Sequence, residues 1–109
     1  MATHQTENGF TRIADSLLDA LALADLSKRE LKILLVVLRR TYGFQKKHAP
    51  LSASFIAQAT GIQRQHIAST ISAMVQRGIL HREHTQHANL LGINKAWFPS
   101  PETVTVGSP

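Results

Sequence analysis

The chain has 109 residues, enough for one domain built around a single hydrophobic core. Twelve Lys and Arg side chains against seven Asp and Glu give a formal net charge of +5, which favours an anionic partner, although the same charge also serves solubility. There is no cysteine, so we expect no disulfide and no thiol catalysis. The first ten residues have no apolar core and the longest apolar run covers only 33–38, so we expect no signal peptide and no membrane span. Together these features predict a cytoplasmic location.

The first half of the chain predicts two helices. The second of them, over 28–42, begins with a capping box formed by Ser27 and Glu30, and we expect Gly43 to end it. Because this helix is apolar nearly all round, it is expected at the centre of the core or against a partner. The first helix, over 11–24, carries a single apolar stripe at helical spacing. That stripe consists of Ile13, Leu17, Leu18 and Leu21.

The second half predicts two more helices, a tight turn between them and a small hairpin. Gly61 supplies the turn, and Gly78 ends the longer of the two helices. The apolar and β-branched residues after Gly78 form two short strand candidates separated by polar residues. In chain order these elements are a short strand over 49–51, a helix over 53–59, a longer helix over 63–77, and strands over 79–84 and 90–94.

This order of elements predicts a mostly α-helical domain with a small β-hairpin, a winged helix-turn-helix with an extra N-terminal helix. A short helix, a turn that contains glycine and a longer helix make the helix-turn-helix unit, and the hairpin makes the wing. In proteins of this class the second helix of the unit enters the major groove by its N-terminal residues. We therefore expect a domain over 11–98, between flexible segments at 1–10 and 99–109, with the helix over 63–77 facing DNA.

The helix over 63–77 combines an apolar side with an outward face that carries no carboxylate. Ile67, Ile71 and Met74 fall on the apolar side. The opposite side chains are polar, uncharged or basic, and mostly short, whereas a purely solvated face typically carries paired Glu and Lys. Glutamine suits an adenine edge and alanine a thymine methyl group, although a polar face without a ligand remains an alternative. The candidate base-reading residues are Gln63, Gln65, His66, Ser69, Thr70 and Ala73.

Four basic side chains are candidate phosphate contacts, which would position the protein without reading sequence. Arg64 lies at the edge of the apolar stripe, at a helix N-terminus that attracts anions. Lys46 and Lys47 precede the helix-turn-helix unit, and Arg82 lies in the hairpin. Each of these residues taken alone fits a solvated surface charge better than a phosphate contact.

The sequence contains no constellation typical of an enzyme. His81, His84 and His87 are spaced by three residues, but residues three apart on a strand point to opposite faces, so we expect no metal site. Asp15 and Asp19 lie one helical turn apart, with no nucleophile or glycine-rich phosphate loop beside them, and we interpret them as a solvated face. We therefore expect neither catalysis nor a cofactor.

Four segments of the chain carry a resemblance to a known family. They are NGFTRIADSLLDAL, LSKRELKILLVVLRRTYGF, TGIQRQHIASTISAMVQRGIL and LGINKAW, and together they extend over about residues 8–97. In this order they resemble the N-terminal domain of lambdoid phage replication protein O. The pieces RRTYGFQKK and LGINK are more specific to that family than a helix-turn-helix alone.

The resemblance implies a phage-encoded winged helix that binds repeated sites in a replication origin as a dimer, in the cytoplasm of the bacterial host. It implies that the helix over 63–77 reads bases and that the helix over 28–42, or the N-terminal helix, forms the dimer contact. In the family a separate C-terminal region recruits the host helicase, and we expect this chain to act without it. Family members often have a basic residue in the middle of the recognition helix, where this chain has Ser69 and Thr70.

Two alternatives to origin recognition stay open at the level of sequence. One is a small phage winged-helix protein that binds and inhibits a host protein complex engaged in DNA processing or defence. The other is a transcriptional repressor. The basic charge and the acid-free helix face favour double-stranded DNA as the partner over a host or phage protein.

Overall fold

The computed structural model describes residues 9–86 and 89–98. Four α-helices and a three-stranded antiparallel sheet account for most of this part of the chain, which confirms the mostly helical class with a small antiparallel sheet. The predicted flexible segments lie outside the described residues, except for residues 9 and 10. The helices are α1 (Asp15–Leu23), α2 (Lys28–Thr41), α3 (Ala53–Thr60) and α4 (Arg64–Gln76), and the strands are β1 (Ala49–Pro50), β2 (Leu80–His84) and β3 (Asn89–Ile93).

The first helix is shorter than its apolar pattern predicts. α1 begins at Asp15, whose carboxylate in the first turn complements the helix dipole, and the preceding Ala14 is extended with ψ 141°. Thr11 lies instead against the end of α2, where a Cβ built on Gly43 would come 3.3 Å from Thr11 Oγ1. The segment before α1 therefore lies near the turn that follows α2 rather than extending the first helix. The buried residues of α1 are Leu17 and Ala20.

The expectation that Gly43 ends the second helix is wrong. α2 ends two residues earlier, and a 3-10 turn, Tyr42–Phe44, follows it. The residue with the left-handed backbone is Gln45, at φ 55°. A Cβ added at Gly43 would lie 2.7 Å from Arg39 Nη1, the far end of a flexible side chain that can move aside, so this contact does not require glycine.

The second helix provides the centre of the core, as predicted. Its capping box is confirmed: the Glu30 N–H donates to Ser27 Oγ at 3.2 Å, and the Ser27 N–H donates to Glu30 Oε1 at 2.8 Å. One side of α2 is buried, whereas Leu31 and Leu35 on the other side are 41% and 52% exposed. No helix in the described residues is both long and apolar enough to cross a membrane. The buried apolar residues of α2 are Ile33, Leu34, Val37 and Leu38.

The predicted short strand joins the hairpin to make a sheet in the order β1-β3-β2. Ala49 and Arg82 both pair with Leu91 of β3, from opposite sides. The loop between α2 and β1 crosses the sheet at Gly92, where an added Cβ would lie 2.7 Å from His48 Cδ2. Only glycine leaves room for this crossing, so the loop is held tightly over β3.

The last two helices meet at the turn that the sequence predicts. Ser52 caps α3 by accepting from the Phe55 N–H at 3.1 Å, and Gly61 ends it with φ 77°. α4 follows and presents its apolar side to the core, and Gly78 (φ 81°) takes the chain from α4 towards β2. The residues that α3 and α4 bury are Ile56, Ile67, Ile71 and Met74.

Candidate nucleic-acid interface

The outward face of α4 is exposed along its whole length. Burial of Ile67, Ile71 and Met74 confirms which side of the helix faces the core. The opposite side presents amides, hydroxyls and methyl groups and no carboxylate, because α4 contains no acidic residue. Its exposed residues are Gln65, Ala68, Ser69, Ser72, Ala73 and Gln76.

The N-terminus of α4 is open to an anion. Gln63 occupies the N-cap position, and within the described residues its side chain makes no capping hydrogen bond to the helix. Its Oε1 instead accepts from Gln65 Nε2 at 3.0 Å, and Gln65 Nε2 also lies 3.5 Å from His66 Nε2. The His66 N–H donates to the Gln63 carbonyl at 2.9 Å, and the positive end of the helix dipole lies beneath a cluster of side-chain amides and an imidazole.

Two predicted base-reading residues are turned partly towards the helix itself. The hydroxyls of Ser69 and Thr70 donate to the His66 carbonyl at 3.3 and 2.7 Å. Ser69 is exposed, whereas Thr70 is half-buried at the side of the helix. Because a hydroxyl that donates keeps its acceptor lone pairs, both can still accept a hydrogen bond, and Ser69 is the better placed to do so.

A basic cleft lies beside the N-terminus of α4. We name it the α4 cleft; it has a volume of about 370 Å³, and none of the residues that line it is acidic. Its cations come from the first turns of α2, and Lys32 Nζ donates to the Thr60 carbonyl at 3.4 Å, which fixes one of them beside the α3–α4 turn. The lining residues are Lys28, Arg29, Lys32, Gly61, Ile62, Gln63 and His66.

Sequence reasoning missed the cations of the α4 cleft, although a signal for them exists. Lys28 and Arg29 occupy the first turn of α2, where the helix dipole favours anions and disfavours cations. Acidic residues are the usual occupants of such a turn. Two adjacent cations in that position indicate that their charge serves something other than the helix.

The acidic residue in the same turn is already paired. Burial alone would raise the pKa of the Glu30 carboxyl, but hydrogen bonds from the Ser27 N–H and from Arg77, together with the charge of Arg77, hold that pKa below its usual value. Arg77 Nη1 donates to both carboxylate oxygens, at 3.0 and 2.8 Å, and Nη2 donates to the Asp25 carbonyl at 3.1 Å. Glu30 therefore ties α2 to the end of α4.

The structure does not bring Lys46 and Lys47 to α4. They line a second and larger cleft of about 770 Å³, which no residue of α4 lines and which we name the sheet cleft. This cleft lies at the C-terminal end of α2, and a 14-residue helix is about 20 Å long, so the two basic clefts occupy opposite ends of that helix. The charged and imidazole side chains of the sheet cleft are Arg12, Lys46, Lys47, His48, His81 and Lys95.

The remaining candidates are Arg64, Arg82 and the three histidines. Arg64 is exposed in the first turn of α4, and Arg82 is half-buried on β2. His81 lines the sheet cleft, His84 is exposed, and His87 lies outside the described residues. Among the residues that the structure describes, no group of three His, Asp or Glu side chains is arranged to hold a metal ion.

Comparison with known proteins assigns the family. The model of the family described as bacteriophage replication protein O matches residues 2–98. The chain belongs to the bacteriophage replication protein O family. This membership confirms the resemblance drawn from the four segments and makes the chain a phage replication protein by family. No solved structure matched the chain.

Three named relatives of the replication protein O family match most of this chain. DNA replication protein gp18 of Salmonella phage P22 is 31% identical over 91 residues, which is 84% of this chain and 32% of that protein. Replication protein 15 of Enterobacteria phage phi80 is 28% identical over 100 residues, or 88% of this chain and 33% of its own length. Replication protein O of Escherichia phage lambda is 30% identical over 89 residues, which is 82% of this chain and 26% of that protein. The chain thus spans about a third or less of each relative.

Proposed function

We propose that this domain binds double-stranded DNA in a sequence-specific way and recognises repeated sites in a phage replication origin. It acts in the cytoplasm of the bacterial host. The observation that carries the proposal is the exposed, acid-free face of α4, whose open N-terminus lies beside the three cations of the α4 cleft. Membership of a phage replication family supports replication over repression as the purpose of this binding.

The proposed architecture is a winged helix-turn-helix. α3, the turn at Gly61 and α4 form the helix-turn-helix unit, and β2 with β3 forms the wing. α4 lies in the major groove with its first turn against base edges. Gln65 is the main base-reading residue, since its amide can pair with the N6 and N7 atoms of adenine; Ser69 and Ala73 follow on the same face.

The α4 cleft is the proposed site for the DNA backbone. Its three cations surround a concave surface at the end of the base-reading face, and Arg64 extends the same charge along the first turn of α4. Duplex DNA carries one negative charge per about 1.7 Å of axis, so a row of cations beside a groove-binding helix meets consecutive phosphates. These contacts set the register in which α4 reads the bases.

We also propose that the domain binds its site as a homodimer. Leu31 and Leu35 lie one helical turn apart on the exposed side of α2 and make an apolar stripe on a helix whose other side is already in the core. Repeated binding sites favour such an arrangement, because two linked helices then engage two half-sites.

The test of base reading compares Gln65→Ala with the parent domain. A duplex site is first selected from random sequences with the parent, and affinities are then measured by fluorescence anisotropy for that site and for each of its single-base variants. Gln65→Ala is expected to lose about 1–3 kcal/mol on the selected site and to lose preference at one base pair.

The matched control is Gln58→Ala, which removes an exposed glutamine from α3. It is expected to keep the affinity and the base preference of the parent. If Gln65→Ala discriminates between the duplexes as the parent does, α4 does not read the groove in the proposed way. If the parent selects no duplex at all, a protein partner takes the place of DNA.

A further inference from the structure

The sheet cleft is not used by the proposed duplex contact. It contains four cations, Arg12, Lys46, Lys47 and Lys95, and none of its lining residues carries a carboxylate. Together these make a third of the Lys and Arg side chains of the chain, since four of twelve lie here. This concentration of charge, at the far end of α2 from the α4 cleft, favours a second anionic ligand.

Aromatic faces are interleaved with these cations. Phe10 is 68% exposed at the edge of the cleft, and Lys95 Nζ lies 5.4 Å from the centre of the Tyr42 ring. The Tyr42 hydroxyl is buried and has no hydrogen-bond partner among the described residues. In single-stranded nucleic acid, unpaired bases can stack on exposed aromatic rings while the phosphates contact neighbouring cations. In a duplex the faces of the bases are stacked on each other and cannot reach such rings.

The cations of this cleft are held in place by the fold. The Lys46 N–H donates to the Thr41 carbonyl at 2.8 Å, and the left-handed Gln45 directs the chain across the sheet. The Lys47 carbonyl oxygen and the His48 ring then lie directly over Gly92, where no side chain could be accommodated. A loop fixed in this way loses little conformational freedom when it binds a ligand.

The dimensions of the cleft fit a short stretch of single strand. Its volume of about 770 Å³ lies within the range of roughly 300–1,000 Å³ found for sites that enclose a small molecule. A groove of this size takes a few nucleotides and lets the strand continue at both ends. The same chemistry would also hold a free nucleotide, which the test below distinguishes.

We propose that the sheet cleft is a second nucleic-acid site, which binds single-stranded DNA. The phosphates contact Arg12, Lys46 and Lys47, and a base stacks on Phe10. This site is separate from the duplex site proposed for α4. A domain with both sites holds a duplex at one end of α2 and an opened strand at the other.

The experiment measures binding of a fluorescent fifteen-residue oligothymidine by anisotropy. Two double variants remove the same charge from the two clefts: Lys46→Gln with Lys47→Gln, and Lys28→Gln with Arg29→Gln. All four side chains are exposed. For each phosphate contact to a single strand, log affinity falls by about 0.7 per log of salt concentration. Two such contacts therefore raise the affinity roughly twenty-fold near 0.1 M salt relative to 1 M. The first variant is expected to lose about that factor, and the second to stay within about twofold of the parent.

Stacking is tested separately with Phe10→Ala and Phe10→Tyr. The alanine variant is expected to weaken oligothymidine binding about tenfold, because base stacking on an aromatic ring is sequence-tolerant and energetically large. The tyrosine variant, which keeps a ring, is expected to bind as the parent does.

Three outcomes would overturn the proposal: the parent does not bind oligothymidine, the two double variants lose affinity equally, or thymidine monophosphate competes as well as the oligonucleotide at the same nucleotide concentration. The last result would assign the cleft to a free nucleotide. Duplex affinity, measured on the same samples, tests the α4 site independently. It is expected to stay within about twofold of the parent in the Lys46 and Lys47 variant.

Discussion

At the scale of single residues, Lys28 gives the clearest support for the proposal that this domain binds an anion. It is the first residue of α2, where a cation opposes the helix dipole, and it lines the α4 cleft. The capping box at Ser27 and Glu30 stabilises the same helix end and offsets this cost. The position is therefore a compromise between the stability of α2 and the binding of an anion.

This compromise predicts opposite effects of one substitution on stability and on binding. Lys28→Gln is expected to raise the free energy of unfolding by about 0.3–1 kcal/mol at low ionic strength and to weaken duplex binding. Urea unfolding and duplex anisotropy measure the two effects. Lys46→Gln removes the same charge away from any helix N-terminus and is expected to leave stability unchanged. A loss of stability in Lys28→Gln would show that its charge serves the fold.

At the scale of elements, the sequence was sufficient where local chemistry determines the structure. The capping box at Ser27, the cap at Ser52 and the left-handed Gly61 were each predictable because they involve residues within a few positions. The burial of one side of α4 followed from its apolar spacing. The start of α1 was not predictable from the apolar spacing, and Thr11, which that spacing includes in the helix, lies instead near Gly43, far away in the chain.

The candidate site likewise has a part that local sequence predicts and a part that depends on contacts between distant segments. The α4 face could be predicted from one helix, but the α4 cleft joins Lys28 to His66 and depends on how α2 and α4 cross. Lys46 and Lys47 were grouped with the duplex site because they precede the helix-turn-helix unit in sequence. The structure places them in the sheet cleft, because the loop that carries them folds over Gly92.

The exposed stripe of α2 leads to a prediction about assembly. Leu31→Lys combined with Leu35→Lys is expected to make the domain monomeric, because two charges would then face each other across the proposed interface. Sedimentation velocity measures the change against the parent, and circular dichroism checks that the helices persist. Leu18 on α1 is also exposed, so Leu18→Lys is the matched control and is expected to keep the oligomeric state of the parent. A parent that is already monomeric on its duplex site would contradict the dimer proposal.

At the scale of the whole molecule, seven of the twelve Lys and Arg side chains line two concave surfaces at the ends of α2. The only acidic residue of α2, Glu30, is neutralised by Arg77 and so does not oppose the nearby cations. In the proposed duplex contact, this distribution accounts for binding without a basic residue in the middle of α4. There α2 holds the DNA backbone, which leaves the centre of α4 free for short side chains that approach the bases.

The most direct test of this account is the salt dependence of duplex binding. Contacts from Lys28, Arg29, Lys32 and Arg64 predict that log affinity falls by about 3.6 per log of salt for each domain bound, at about 0.9 per contact. The Lys28→Gln and Arg29→Gln double variant is expected to halve this slope, and the Lys46→Gln and Lys47→Gln variant to leave it unchanged. A parent slope near zero, or a slope that falls equally in both variants, would contradict the assignment of duplex DNA to the α4 cleft.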